Sequence, residues 1–440
     1  MRTRERARQF NFGPFAGRDH EHTFLLLADL SIDELIHDWN LEAGDLVKPA
    51  QSVEFDDETL RDGLQSPSVT DPSIEQKIEI LHLMHELGIH TANIGLPGAG
   101  PRAVADVERL AREIRDAGLK TGANCAARTL AHDIDPVADV VQRIGIPIEC
   151  CTFIGSSPIR QYAEGWDVEW ILDTSVKAVG YAVSLGLPVM YVTEDTTRAR
   201  PETLKRLYTA AIEAGASRIC LADTVGHATP DGARNLVRWA RKLVRDTGAD
   251  VKVDWHGHRD RGFGLANALA AMVAGADRVH GTALGIGERV GNAEMDLILV
   301  NLRLLGWIDN DLSRLPEYCR KVADATGVPL PPNYPVVGDD AFRTGTGVHA
   351  AAVIKAMKKG DAWLADSVYS GVPAGLVGRK QEIEIGHMCG KSNVVYWLES
   401  RGYEAEPALV DRIFEHAKAT DHILTDPEIE ALIGAERVAR

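Results

Sequence analysis

Between about residues 51 and 306 the chain repeats one pattern eight times: a short apolar, β-branched run, then a longer amphipathic stretch. The runs fall near residues 52–55, 91–96, 120–124, 149–154, 188–192, 218–221, 251–255 and 278–282. Helical periodicity fills intervals such as 74–87, 103–117, 168–185, 201–214, 231–247 and 264–274. Several of these stop at a glycine (Gly88, Gly118, Gly186, Gly275), the usual residue just past a last helical turn. Strand-length runs alternating with helices build parallel sheets, because each parallel pairing needs a crossover. Eight such units predict an α/β chain closed as a (β/α)8 TIM barrel. The competitor is a doubly wound open sheet. The barrel is preferred because polar and titratable residues gather just after the strands, where a barrel assembles its site from βα loops.

A barrel over 51–328 leaves two flanks. Residues 1–50 carry their own apolar pattern and are expected to form an N-terminal extension packed on the barrel or on a partner subunit. The Pro-rich stretch 329–335 marks a linker, and 329–440 as a whole is expected to be linker plus a helix-rich C-terminal lid subdomain. Hydrophobic residues at 45% and charged residues at 25% match a soluble globular protein and exclude disorder as the main state. The 48 Lys+Arg against 64 Asp+Glu give a formal charge of -16, which opposes binding to nucleic acid or anionic membrane surfaces. The apolar stretch 24–30 is far shorter than the ~20 residues a membrane span needs. Six cysteines without a C-x-x-C pair fit a reducing cytoplasm.

The strongest chemical signal is Asp254-Trp-His-Gly-His258, at the end of the seventh strand. Alternate strand residues share a face, so His256 and His258 can present two imidazoles to one point, as a metal site requires. In a closed barrel the first strand lies near the seventh. Asp62, in Asp57-Glu-Thr-Leu-Arg-Asp-Gly-Leu-Gln65, can then complete a mixed N/O set suited to Mn²⁺, Zn²⁺ or Mg²⁺. Arg61 beside it is either a salt-bridged surface residue or a cation that steadies a developing enolate or alkoxide. After the eighth strand, Gly285-Ile-Gly-Glu-Arg-Val-Gly-Asn292 misses the dinucleotide-binding glycine spacing and reads as a tight loop. In it Asn292 can add an oxygen ligand, and Glu288 and Arg289 are expected to pair. Thr193-Glu-Asp195 and Ala222-Asp-Thr-Val-Gly226 offer carboxylates for general-base work and the Thr224 hydroxyl for a substrate carboxylate.

Taken together, Asp57-x-Thr-Leu-Arg-Asp-Gly-x-Gln65, His256-x-His258 and Gly287-Glu-Arg-x-Gly-Asn292 resemble the DRE-TIM metallolyases, in the branch of 2-isopropylmalate, homocitrate and citramalate synthases. The resemblance runs from about Val53 to Leu398 and takes in Phe153-Ile-Gly-Ser-Ser-Pro-Ile159, Gly347-Val-His349 and Gly386-x-x-x-Gly-Lys-Ser-Asn393. It implies a Claisen condensation of acetyl-CoA with a 2-oxo acid held on a divalent metal, with release of CoA. By that pattern Asp62, His256 and His258 bind the metal with Asn292 close by, and Arg61 polarises the keto oxygen. Gln65 and Thr224 bind substrate, and Glu194 helps deprotonate the acetyl methyl group. His349 comes from the lid of the neighbouring subunit, which makes a homodimer part of the mechanism.

Departures from the pattern bear on the substrate. Leu64 stands where the synthases usually carry Glu; Asp-Gly-Leu-Gln is the form of hydroxymethylglutaryl-CoA lyases, which lack the Gly-Glu-Arg-x-Gly-Asn loop and the His349 region. Asn93 replaces a Glu usual after the second strand, and Arg259 follows the His pair where Asn is usual. Met190 and Val192 occupy positions where homocitrate synthases carry Arg and Ser. With Leu64 they predict a less polar pocket and an apolar 2-oxo acid such as 2-oxoisovalerate. A homocitrate, citramalate or secondary-metabolism alkylmalate synthase, acting there on an aryl or phosphonate 2-oxo acid, is the alternative, and a retro-Claisen lyase a weaker one. The length leaves no room for a C-terminal regulatory domain, and positive charge is expected at the barrel mouth on Arg61, Arg259, Arg289 and the metal.

Overall fold

The computed structural model describes residues 35–42, 44 and 46–438. The chain divides into two compact units at Val47/Lys48. The described part of the first contains a helical turn, Trp39–Leu41, whose start is capped by Asp38 accepting the Asn40 N–H at 2.9 Å. Most of the expected 1–50 extension lies outside the described residues.

In the second unit eight parallel strands close into a barrel: β1 Glu54–Asp57, β2 Thr91–Asn93, β3 Gly122–Arg128, β4 Ile148–Gly155, β5 Val189–Glu194, β6 Arg218–Asp223, β7 Lys252–Gly257 and β8 Arg278–Gly281. β1 pairs with both β2 and β8, so no sheet edge is left open. Strand period decides what each residue touches. Val189, Tyr191, Ile219 and Leu221 point outward into the main core beneath the helices. Their neighbours Met190, Val192 and Cys220 point inward and pack with Cys151 as a separate cluster. Each fully buried large apolar side chain in the outer layer contributes about 1.5–3 kcal/mol.

Helices Ile74–Glu86, Pro101–Asp116, Val168–Ser184, Pro201–Glu213, Pro230–Thr247 and Gly264–Ala274 match the periodic intervals, and Gly275 takes the left-handed conformation (φ 105°) that ends the last of them. The periodic intervals named from sequence do not include Ala131–Ile144 or Pro158–Glu164; the first carries Pro136 inside it, which blurs a helical signature. Strand ends differ more. β1 starts two residues later than the apolar run, and β5, β6 and β7 run on through Glu194, Asp223 and Gly257. Polar residues ended the apolar runs but not the backbone pairing, which continues to Gly155↔Glu194 and Asp223↔Gly257. β2 stops at Asn93, ahead of a left-handed Gly95 (φ 149°).

The lower barrel is ionic. Arg278, 1% exposed, donates to Asp254 Oδ2 at 2.7 Å and to Glu149 Oε2 at 2.6 Å, while Arg218 donates to Asp254 Oδ1 at 2.7 Å. Beyond the barrel, Leu315–Thr326 returns to it: the Tyr318 hydroxyl donates to Asp57, whose carboxyl burial pushes up to about 6. The C-terminal part is helix-rich (Gly347–Lys358, Ala362–Ser367, Lys391–Ser400, Pro407–Ala419, Asp426–Val438), with a small parallel pair, Arg343–Thr344 and Glu382–Ile383, and apolar clusters of its own. No helix among the described residues is long and apolar enough to cross a membrane.

Candidate active site

The inward positions of β7 are Asp254 and His256, and His258 follows just past its end on the same face; all three are buried. Asp62 reaches them from the loop after β1, where it starts the tight turn Gly63–Gln65. Asp62 Oδ2 lies 3.3 Å from His256 Nε2 and 3.5 Å from His258 Nε2, and one donor atom from each residue falls within 4.8 Å of the others. Burial alone would raise the Asp62 carboxyl; the Arg61 charge and the two imidazoles outweigh it and hold it well below the usual carboxylate range. Buried His258 Nδ1 and Asn292 Oδ1 have no hydrogen-bond partner. Two imidazoles, a carboxylate and a spare amide oxygen are a donor set that fits a divalent cation of the Mn²⁺, Zn²⁺ or Mg²⁺ kind.

Arg61 is largely buried and points one nitrogen at Glu58 and another at Asp62 Oδ1, 3.7 Å away. Glu58, at the unassigned position of Asp57-x-Thr, was not among the predicted site residues, and neither was His280 on β8. Yet Glu58 Oε1 receives His280 Nδ1 at 2.8 Å and faces His256 Nδ1 at 3.2 Å. Strand alternation was the available signal, since Asp56, Glu58, Arg278 and His280 extend the inward faces of β1 and β8, which pair Asp56 with His280.

Glu58, Arg61, Asp62, His256, His258 and His280 line one cavity of about 240 Å³, whose lining does not include Asn292. Gln65, Met190, Val192, Glu194 and Thr224 line it too, with Phe153, Cys151, Cys220 and Ala222 completing an apolar floor and wall. Thr224 Oγ1 accepts the Asp195 N–H at 2.8 Å, so its own proton is free for an acceptor in the cavity. Of the candidate carboxylates, Asp195 is held by both arms of Arg198 at 2.7 Å, and Asp223 by the His227 N–H at 2.8 Å. Glu194 is left facing the cavity. Burial raises its pKa, opposed by the charges of Arg160 and Arg61.

Three sequence expectations, on Leu64, Arg289 and Arg259, differ from the structure. Leu64 does not line the cavity, because the turn that follows Asp62 rotates it away. His349, expected to serve a neighbouring subunit, is exposed on its helix, stacks on Tyr369 at 4.2 Å and does not line its own chain's cavity. Arg289 pairs with Asp260 at 2.8 Å and the Thr224 carbonyl at 2.7 Å instead of with Glu288. Arg259 turns from the mouth to the Val290 carbonyl at 2.9 Å and to Glu294, bracing the loop. In that loop Gly291 (φ 97°) passes so close to the Gly285 carbonyl that a Cβ would stand 1.8 Å from its oxygen.

Comparison with known proteins gives one consistent picture. A homocitrate synthase of Methanopyrus kandleri is 36% identical over 383 residues, 86% of this chain and 90% of that protein. A 2-isopropylmalate synthase of Pyrococcus abyssi is 32% identical over 389 residues, 86% of this chain and 77% of that one. Among solved structures, the HMG-CoA lyase of Bacillus subtilis superposes with a TM-score of 0.54 at 22% identity, covering 65% of this chain and 97% of the lyase. That of Pseudomonas aeruginosa gives 0.52 at 18%, covering 63% and 94%; both speak for the barrel alone. The profile of the HMGL-like family spans residues 52–322, from just ahead of β1 to the helix that ties back onto it, and with synthases of this kind aligned along most of its length the chain belongs to that family.

Proposed function

We propose that this protein is an acyl-CoA:2-oxo acid C-acyltransferase, a 2-isopropylmalate synthase-like enzyme that condenses acetyl-CoA with an apolar 2-oxo acid to a 2-hydroxy dicarboxylate and CoA. The observation that carries the substrate class is the apolar floor of Cys151, Phe153, Met190, Val192, Cys220 and Ala222 beneath the Asp62/His256/His258 set. A distal carboxylate there would need a cation. Arg61 is engaged by Glu58, Arg289 by Asp260, and Arg278 below the floor by Asp254 and Glu149. Burying a carboxylate without such a partner costs several kcal/mol, which counts against homocitrate synthesis although a homocitrate synthase aligns well. The lyase reading loses its sequence signal, because Leu64 does not face the cavity.

In this reading a divalent metal (Mg²⁺, Mn²⁺ or Zn²⁺) on Asp62, His256 and His258 with Asn292, when bound, supplies Lewis acidity and a template for the oxo acid. The rest falls to the chain. Thr224 donates to the substrate carboxylate, and Gln65 contacts the substrate at the rim. Glu194 takes a proton from the acetyl methyl group, and the resulting carbon nucleophile forms the new bond to the keto carbon. Arg61 offsets the negative charge that develops on the keto oxygen. Water then cleaves the thioester and releases CoA. A panel of 2-oxo acids with acetyl-CoA and thiol detection tests this: 2-oxoisovalerate should exceed 2-oxoglutarate by about 100-fold or more in kcat/KM, the worth of a few kcal/mol. Faster turnover of 2-oxoglutarate would move the assignment to homocitrate. Cleavage of a hydroxyacyl-CoA with no condensation would move it to the lyases.

The assignment includes residues 51–328 as catalytic barrel, 1–50 as an extension and 329–440 as linker and lid. It also includes a cytoplasmic homodimer, supported by six free, buried cysteines and by the exposure of His349 with Val348 and Met388 near it in sequence or fold. His349 then acts in the partner's cavity. Equimolar Arg61→Ala and His349→Ala, each inactive alone, should on mixing recover up to about one quarter of parental activity, the limit for random re-pairing of a two-fold dimer. A mixture that stays inactive after subunit exchange has been verified would rule out sharing in trans.

A further inference from the structure

Glu58 is 2% exposed; it hydrogen-bonds Arg61 and His280 and lies beside His256. Its Oε2 takes the Arg61 guanidinium; its Oε1 takes His280 Nδ1 at 2.8 Å and lies 3.2 Å from His256 Nδ1. In its ionised form this carboxylate can only accept, so a neighbouring ring nitrogen is best placed when it carries its N–H toward it. For His256 this selects the Nδ1–H tautomer and leaves the Nε2 lone pair aimed at the Asp62/His258 point, 3.3 Å from Asp62 Oδ2. For Arg61 it anchors one arm of the fork, so the guanidinium cannot swing out of the cavity. The His280 ring is itself held between carboxylates, its Nε2 3.1 Å from Asp254 Oδ2, and Asp254 is clamped by Arg278 and Arg218.

We propose that Glu58 is a positioning residue that orients the ligand His256 and the cation Arg61 together, so that metal affinity and turnover both depend on one carboxylate. The turnover half rests on the condensation proposed above; the metal half does not. Asn93 provides the means to separate them. With its amide oxygen turned to Arg61 it sits 3.3 Å from Nε, and it makes no hydrogen bond to His256 or His280. A carboxylate at 93 can therefore hold Arg61 without orienting the histidine.

The experiment uses full-length protein stripped with chelator, titrated directly with Mn²⁺ and then assayed for thiol release. Glu58→Gln puts an NH2 where only acceptors fit. It should weaken Mn²⁺ binding about 10- to 100-fold, the range for groups that orient metal ligands, and lower kcat with little change in the oxo-acid KM. Adding Asn93→Glu should restore much of kcat and leave Mn²⁺ affinity low. Unchanged Mn²⁺ affinity in Glu58→Gln overturns the proposal, and so does a double variant in which both properties return together or neither does. If Glu58→Gln does not fold by circular dichroism, Glu58→Asp keeps the charge but pulls it back by one methylene; it must still weaken Mn²⁺ binding. If the parent releases no thiol with any oxo acid, the condensation fails while the Mn²⁺ titration still decides the role of Glu58.

Discussion

Glu194→Gln is expected to lower kcat about 10²- to 10⁴-fold, the usual contribution of a positioned general base, while Mn²⁺ binding stays at the parental level. The neutral amide keeps the shape of the side chain and removes its ability to take a proton. Glu194 stands at the last position of β5, facing the cavity from the wall that also carries Met190 and Val192, and it is not among the groups that meet at Asp62, His256 and His258. Its pKa is raised above the ordinary glutamate value of 4.5 by burial, against the pull of Arg160 and Arg61. A higher pKa makes a stronger base, and the working form is the ionised one. Activity therefore falls as pH drops through the raised value, and this acid limb should vanish from the residual rate of the Gln variant. Steady-state thiol release across pH measures both effects. A variant within tenfold of the parent would remove Glu194 from the reaction.

His258→Ala should abolish activity and reduce Mn²⁺ affinity by more than about 100-fold, beyond the 10- to 100-fold cost of disturbing groups that merely support metal ligands. The imidazole is 4% exposed, its Nε2 faces Asp62 at 3.5 Å, and its Nδ1 has no partner in the protein. Removing it leaves His256 and Asp62 with only the Asn292 amide oxygen beside them, and opens the site to water on one side. Elemental analysis of variant and parent, dialysed identically, reads the loss directly. Full occupancy in the variant would show that the third donor lies elsewhere.

The barrel was legible because its strands are β-branched runs separated by helical intervals, and the meeting of His256 and His258 with Asp62 because the two histidines stand two residues apart at the end of β7. What escaped depends on register. With the first strand placed at 52–55, Glu58 falls in a loop; with β1 at Glu54–Asp57 paired to β8 so that Asp56 faces His280, Glu58 stands at the cavity wall opposite that histidine. No local pattern carries that pairing. Leu64 was placed at the pocket by the resemblance alone, and the tight turn that the chain enters after Asp62 carries it out of the cavity lining. Arg259 was placed at the barrel mouth and Arg289 was paired with Glu288 because their actual partners, Glu294 and Asp260, meet them only through folding of the loop after β8.

The floor of the cavity is one side chain thick. Met190 Sδ lies 3.3 Å from an Arg278 nitrogen, so the thioether separates the substrate space from a guanidinium already committed to Asp254 and Glu149. This limits how the enzyme can change its diet over evolution. Trimming Met190 would not deepen an apolar pocket; it would bare a cation whose loss strands two buried carboxylates, at a cost of about 3–5 kcal/mol for a broken buried pair. Room for a bulkier apolar side chain lies sideways, at wall residues such as Cys151, Phe153, Val192, Cys220 and Ala222.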